Sequence, residues 1–364
     1  MNFQLANSSH EAALRELARQ SSMPGWIRLA FGREPDFFQA VNVQGKSNQV
    51  LVALEGSCVV GMGCRSIKPV WVNGQQTEIG YLGGLRLIPD VRRTGALARG
   101  YAALRRLHEE TPVPAYLTTV VEGNTVASDL LTSGRAGLPH YLDHGRYFTY
   151  AVNLSRLRRK YASPLTVLRG HEVGLDSIVR FLGEMGRQRQ FFPVLEASDF
   201  NTNYLRGLRL EDFRVAVRGR NEIVGVTAAW DQNSFKQSIV RGYAAPVRWI
   251  RPVLNGLLRL TGFSSLPAPG GTLDMVSLAF FCVRDDQPDA ARALLEQVCS
   301  DLRGGPYRFL VLGLHERDPM RALMAHFRAY RYTSRLFLVC WDDGLDFVKN
   351  IDPVRIPYLD VATL

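Results

Sequence analysis

The sequence predicts an α/β protein in which one architecture occurs twice. Three observations predict it. The chain has 364 residues, which is long for one ordinary domain and suits two. The stretch Thr77 to Glu110 reads as a buried strand, a break and an amphipathic helix. A hairpin pattern and a late apolar strand in the first half recur, in the same order, in the second.

Composition bounds the class. With 46% hydrophobic and 21% charged residues the chain is globular rather than disordered. A net charge of +10 and an isoelectric point of about 9.6 suit nucleic acid, anionic lipid or phosphorylated ligands, and equally suit a solvated positive face. No long single-sign block occurs, which argues against a nucleic-acid tail. Cys58, Cys64, Cys282, Cys299 and Cys340 form no C-x-x-C pair, and their odd number does not suit a disulfide framework. They read as buried thiols of a reducing compartment. No charged segment precedes an apolar one at the start, and no apolar run approaches ~20 residues, so the expectation is a cytoplasmic protein without a membrane span. His140 and His144 stand four apart in a segment that reads as loop, and no metal site is expected.

In chain order, Phe3 to Ala6 opens a short strand, and Ser8 or Ser9 caps a helix to Gln20 that buries Leu14, Leu17 and Ala18. Ser21 to Gly32, with Met23, Trp26 and Phe31, reads as a loop lining a cleft or lidding the core. Pro35 to Val43 reads as a short helix. Gln49 to Gly63 reads as two strands joined by a tight turn at Glu55 to Ser57.

The strand that follows carries Ile79, Leu82, Leu85 and Leu87 and stops at Pro89. The helix carries Ala96, Leu97, Ala98, Ala102, Ala103, Leu104 and Leu107 at helical spacing, with Arg99, Arg105 and Arg106 between them, and ends at Thr111-Pro112. Between strand and helix sits Arg92-Arg93-Thr94-Gly95-Ala96. A helix start presents N–H groups without intrahelical partners and about half a positive charge, so it suits a phosphate or pyrophosphate. A Cβ at Gly95 would obstruct close approach of backbone to ligand. Read more plainly, this is an exposed basic helix start with Gly95 serving the turn.

The order strand, Pro, Arg92-x-x-Gly95, Ala-rich helix resembles motif A of the GNAT superfamily, the acyl-CoA-dependent N-acyltransferases. Leu97 stands where that pattern has its last small residue, with Ala98 next. Ala115 to Val121, then Glu122-Gly-Asn124-Thr-Val-Ala and a helix to about Ser133, resemble the family's fifth strand and fourth helix. The resemblance covers roughly residues 1 to 152. It implies a mixed, mostly antiparallel central sheet flanked by helices in each copy, acetyl-CoA as cosubstrate and no metal. The pyrophosphate would lie on Arg92, Arg93, Thr94, Gly95, Ala96, Leu97 and Ala98. The backbone at Leu85, Arg86 and Leu87 would meet the pantetheine arm, with Gly83 and Gly84 permitting a bulge, and Asn124 would lie beside the cofactor.

Acyl transfer needs a polarised carbonyl, a neutral amine and a proton for the departing thiolate. The family's tyrosine acid has no counterpart here, because Leu131 takes its place, and Gly83 stands where a base glutamate often sits. Glu122 and Glu78 are the candidate bases; Tyr141 and Tyr147 are the candidate acids.

The second half repeats the hairpin over Asp212 to Trp230, with Val59-Val60-Gly61 matching Ile223-Val224-Gly225. Leu310 to His315 matches Leu117 to Glu122 at a larger offset, and the extra residues fall at 234–271. The repeat lacks the phosphate loop. After the strand Leu273 to Val283 come Arg284, Asp285, Asp286, Gln287, Pro288 and Asp289, whose carboxylates would repel a pyrophosphate, and then a helix over Ala290 to Leu302. The domains are expected at 1–155 and 163–350, with the linker near 156–164. The insertion, with Arg241, Tyr243, Arg248, Trp249, Arg251 and Arg259 beside Val253, Leu254, Leu257 and Leu258, reads as a basic amphipathic helix packed between domains. The tail Ile351 to Leu364 reads as exposed and extended.

The expected activity is therefore N-acetyl transfer to a small-molecule or peptide amine. Two rivals remain: an aminoacyl-tRNA-dependent transferase of the same fold, favoured by the positive charge, and a non-catalytic acyl-CoA-binding protein, favoured by the missing glutamate and tyrosine. Nothing in the sequence indicates the oligomeric state.

Overall fold

The structure is a computed structural model that describes residues 1–20, 22–23, 27–91, 95–134, 137–154, 163–219, 222–260 and 265–364, with 22–23, 125–127 and 258–259 described by backbone alone. The first half runs β1 (Asn2–Leu5), α1 (Glu11–Gln20), β2 (Ser22–Met23), β3 (Ile27–Gly32), α2 (Phe37–Val41), β4 (Ser47–Glu55), β5 (Cys58–Val72), β6 (Gln75–Leu87), α3 (Ala96–Glu110), β7 (Tyr116–Val121), α4 (Thr125–Leu131) and β8 (His140–Asn153). The second runs β9 (Thr166–Arg169), α5 (Gly170–Val173), α6 (Leu175–Gly186), β10 (Phe192–Pro193), β11 (Phe213–Arg218), β12 (Glu222–Trp230), β13 (Gln237–Tyr243), α7 (Ala245–Leu260), β14 (Thr272–Leu273), β15 (Met275–Val283), α8 (Pro288–Leu302), β16 (Phe309–His315), β17 (Ala329–Cys340) and α9 (Leu345–Lys349).

One mixed, mostly antiparallel sheet runs through both halves in the order β1-β4-β5-β6-β7-β17-β8-β16-β15-β12-β11-β9. Among the described residues, two of its ladders are parallel, β6 with β7 and β15 with β16. Read inward from its two ends, the order pairs like with like: hairpin β4–β5 with β11–β12, and parallel pair β6–β7 with β15–β16. The halves interlock at the centre, because β17 lies between β7 and β8, and β8 lies between β17 and β16. The backbone at this junction therefore finds its partners in the opposite half.

Helices cover both faces of the first half. Under α1 and α2, Met62 and Cys64 join Leu14, Leu17, Phe37, Val50 and Val52. On the opposite face Ile67, Leu82 and Tyr116 join Tyr101 of α3 and Leu131 of α4. The alternation along β5 and β6 assigns each residue to one of these faces, and cross-strand partners share a face.

Several expectations change. Residues 27–32 and 22–23 are strands rather than loop, because β13 pairs with β3 in a second sheet, β14-β13-β3-β2, that draws on both halves; 24–26 lie outside the described residues, as does most of the expected linker. His140 and His144 lie on strand β8, which β17 pairs along its length. Cys58 is exposed, while the other four cysteines are buried thiols. The helix in 234–271 is not packed on its apolar side: Trp249 is 76% exposed, Val253 70% and Leu260 85%. The end of the tail is buried rather than exposed, at Leu359, Asp360, Ala362 and Thr363, while Pro353 and Val354 are exposed. No helix among the described residues is long and apolar enough to cross a membrane.

Candidate functional site

The parallel strands β6 and β7 diverge. Their ladder consists of Gly80–Tyr116 and Tyr81–Leu117. One residue on, Thr118 Oγ1 donates to Leu82 O at 2.7 Å across the widening gap. On its other side β6 is bulged: Met62 faces Arg86 and Cys64 faces Gly83, so Gly84 and Leu85 together oppose the single residue Gly63. Gly84 has φ +66, the left-handed region that glycine enters without penalty. Leu85 is 44% exposed at the mouth of the gap. The expected bulge is thus formed where the two strands part.

Strand β6 leads to the start of α3, and β7 runs parallel to it. Gly95 is its N-cap with φ +71, no side chain caps the first turn, and an added Cβ would meet nothing within 4 Å. The first bond accepted by Gly95 O comes from Arg99 N, so the N–H groups of Ala96, Leu97 and Ala98 have no intrahelical partner. These residues fit a pyrophosphate cradle. Arg92, Arg93 and Thr94 lie outside the described residues. Arg86 and Leu87 sit on the strand just past the bulge, and the Arg86 side chain shares its face with Met62, on the side of α1 and away from α3.

Asn124 follows the end of β7; its N–H donates to Val121 O and its carbonyl accepts from Ser128 N, so it stands at the start of α4. Glu122 is exposed at the same end, and its Oε1 accepts from Arg146 Nε at 3.1 Å. Glu78 stands near the beginning of β6, opposite Pro69 and exposed. At ~3.4 Å per residue it lies roughly 20 Å from the bulge. The strands thus bring Glu122, Asn124 and Gly95 to one end and leave Glu78 at the other.

The two tyrosines differ. Tyr147 is buried on the face of Tyr81 and Leu336, and its hydroxyl donates to Leu359 O at 2.8 Å. Burial holds that phenol well above its ordinary range. Tyr141 packs beside Leu131 and Leu82, and its hydroxyl meets that of Tyr101. Burial raises Tyr101 to about 12 and pushes Tyr141 well above the usual tyrosine value. Both phenols therefore stay protonated at neutral pH and act as hydrogen-bond donors. Sequence reasoning missed Tyr101, although its place one turn into the helix that follows the phosphate loop was a usable signal.

Among solved structures, a GCN5-related N-acetyltransferase from Anabaena variabilis ATCC 29413 is similar, with TM-score 0.51, 10% identity, and coverage of 93% of this chain and 72% of that one. A protein of Enterococcus faecalis V583, described as a conserved protein of unknown function and probable N-acyltransferase, gives TM-score 0.50, 11% identity, 93% and 72%. This chain has the GCN5-related N-acetyltransferase fold. No family model matches the sequence, and no curated protein matches it.

Within that acetyltransferase fold the second half carries a counterpart of the bulge. Val226 faces Cys282 and Ala228 faces Ala279, so Phe280 and Phe281 oppose one residue, and Phe280 has φ +53. Here the space is filled. Phe280 is fully buried between Phe213 and Trp230, and its N–H donates to Asp360 Oδ2 at 2.8 Å. At the helix that follows, Pro288 removes one N–H, and the turn before it carries Asp285 and Asp286, with Asp286 ion-paired to Arg189.

Proposed function

We propose that this chain is an N-acetyltransferase built from two joined copies of the fold, and that its first copy moves an acetyl group from acetyl-CoA to an amine. The observation that carries this reading is the bulge at Gly84–Leu85 of β6, formed just where β6 parts from β7 and ahead of the uncapped start of α3. In this reading the α3 amides hold the pyrophosphate and the pantetheine arm enters between β6 and β7. Backbone N–H groups at the parting strands polarise the thioester carbonyl. The amine nitrogen forms the new amide bond as the C–S bond breaks. Its proton passes to Glu122, directly or through one water, and the departing thiolate is met by the Tyr141–Tyr101 hydroxyls. Because those phenols hold their protons tightly, they stabilise the thiolate by hydrogen bonding more than by complete transfer. Buried free thiols suit a reducing compartment, so the cytoplasm is the proposed location.

Thiol release from acetyl-CoA across a panel of amines tests the activity. Once an acceptor is found, Glu122→Gln lowers kcat by ~10²-fold or more, the usual worth of a general base. Raising the pH partly restores it, because more acceptor is then neutral without help. A variant with full kcat at neutral pH would clear Glu122 of the role.

A further inference from the structure

Several buried and half-buried arginines among the described residues are well partnered. Arg65 bonds Tyr116 Oη at 2.9 Å, Gln49 Oε1 at 2.6 Å and the carbonyl of Thr111. Arg214 pairs with Asp301 at 2.5 Å and donates to two carbonyls. Arg189 pairs with Asp286 and Asp318. Arg86, beside the bulge, and Arg33 are not.

Arg86 directly follows the bulge residues Gly84 and Leu85 and faces the α1 side. Arg33 follows β3, which packs on α1 as β6 does. Both lie near Cys64 and Tyr81, and the charge of Arg86 opposes that of Arg33. Among the described residues no carboxylate lies within ion-pair distance of either; the nearby Glu34 is taken by Arg15 and Arg19. Arg33 Nη1 donates to Gly32 O at 3.2 Å and Arg86 Nη1 to Leu85 O at 3.0 Å, while Arg86 Nε is buried with no partner. A guanidinium has five N–H donors, so most of this pair's capacity is unused.

The neighbours do not neutralise them. Burial lifts the Cys64 thiol to about 11 and raises the Tyr81 phenol, so both stay uncharged near neutral pH. Burial, with the charge of Arg86, lowers Arg33 to about 10, which still leaves it charged. Two half-buried like charges without a counter-ion are costly unless an anion joins them.

We propose that Arg33 and Arg86 form the anion-binding half of the acceptor site, so that the amine acetylated here carries a carboxylate a few bonds from its nitrogen. The proposal rests on the acetyl-transfer reading and names its substrate class. Arg86 adjoins the bulge where the thioester would lie, so an anion held there keeps the attached amine close to the carbonyl. Planar guanidinium forks match a carboxylate in a bidentate manner. The pair lies on the face away from α3, so its guanidiniums are not part of the pyrophosphate cradle.

The test uses matched probes: L-alanine, L-leucine, L-phenylalanine and glutamate, each beside its primary amide and its decarboxylated amine. kcat/KM for the wild type should favour the carboxylate member at least tenfold. Arg33→Gln and Arg86→Gln should each erase that preference, with the Lys variants keeping part of it and acetyl-CoA affinity held in Arg33→Gln. Equal turnover of acids and amides by the wild type, or a preference that survives both Gln variants, overturns the proposal. If no probe is turned over, calorimetry with coenzyme A present separates the two readings. Binding of the carboxylate members alone, lost in both Gln variants, keeps the anion site while the acetyl-transfer reading fails; binding of neither member overturns the anion site.

Discussion

The two bulges of this protein are built alike and put to opposite ends. In β6 the left-handed position is Gly84, the next residue is exposed, and the helix beyond starts at an uncapped glycine. In β15 the same position is Phe280, which fills the space with its own ring, and Asp360 takes its N–H. The tail completes the closure: Ala362 and Thr363 are buried against this half, with Lys236 Nζ donating to Ala362 O and Leu364 O. A bulge between parting strands is thus not a site in itself. What sets the two apart is that the second holds a buried ring and a carboxylate where the first has an exposed residue ahead of an uncapped helix start.

The strongest way to break this comparison is to give the first half the charge that the second already has. Gly95→Glu places a carboxylate where the pyrophosphate is expected. At ~5 Å and an effective dielectric of ~20 each unit of like charge costs about 3 kcal/mol, so acetyl-CoA affinity should fall by about 10²-fold or more. Gly95→Ala separates charge from strain. Its Cβ meets nothing within 4 Å, but the left-handed backbone costs roughly 1–2 kcal/mol of stability, with less than tenfold loss of affinity. If calorimetry finds Glu binding acetyl-CoA as well as Ala does, the cradle is elsewhere.

A smaller effect sharpens the other side. Lys68 is buried under the tail, and its Nζ donates to Thr363 Oγ1 at 2.9 Å. Burial lowers it from 10.5 to about 8. Since the folded state holds this proton less tightly than the unfolded state, the cost is full below pH ~8 and is relieved as pH rises toward 10.5. Wild-type stability should therefore gain on the order of 1–3 kcal/mol over that interval relative to Lys68→Met, read as a difference in Tm of a few degrees. Parallel pH profiles for the two proteins would show that the tail does not bury this ammonium.

Much of the first site was legible because it is local. Thr77 to Glu110 carries its strand, its paired glycines and its helix start within one continuous stretch, and each has a short-range physical signature. The acidic start of the second helix was legible for the same reason. What the sequence hid depends on distant chain. Residues 27–32 looked like a loop because the partner of β3 is β13, some two hundred residues away, and β13 lies in the segment read as an insertion. The tail looked exposed because its two prolines, Pro353 and Pro357, are local signals, whereas its burial comes from Lys68, Lys236 and Phe280. Likewise the exchange of β8 and β17 at the centre leaves no mark on either strand's own pattern, since an apolar strand reads the same whichever strands flank it.

The measurement that bears most directly on the central claim is the stoichiometry of coenzyme A, by titration calorimetry paired with hydrogen exchange. If the open bulge alone is a site, one coenzyme A binds per chain, and protection gathers around Gly95 to Ala98 and the end of β6. Two equivalent sites, or protection centred on Arg284 to Ala290, would contradict the account.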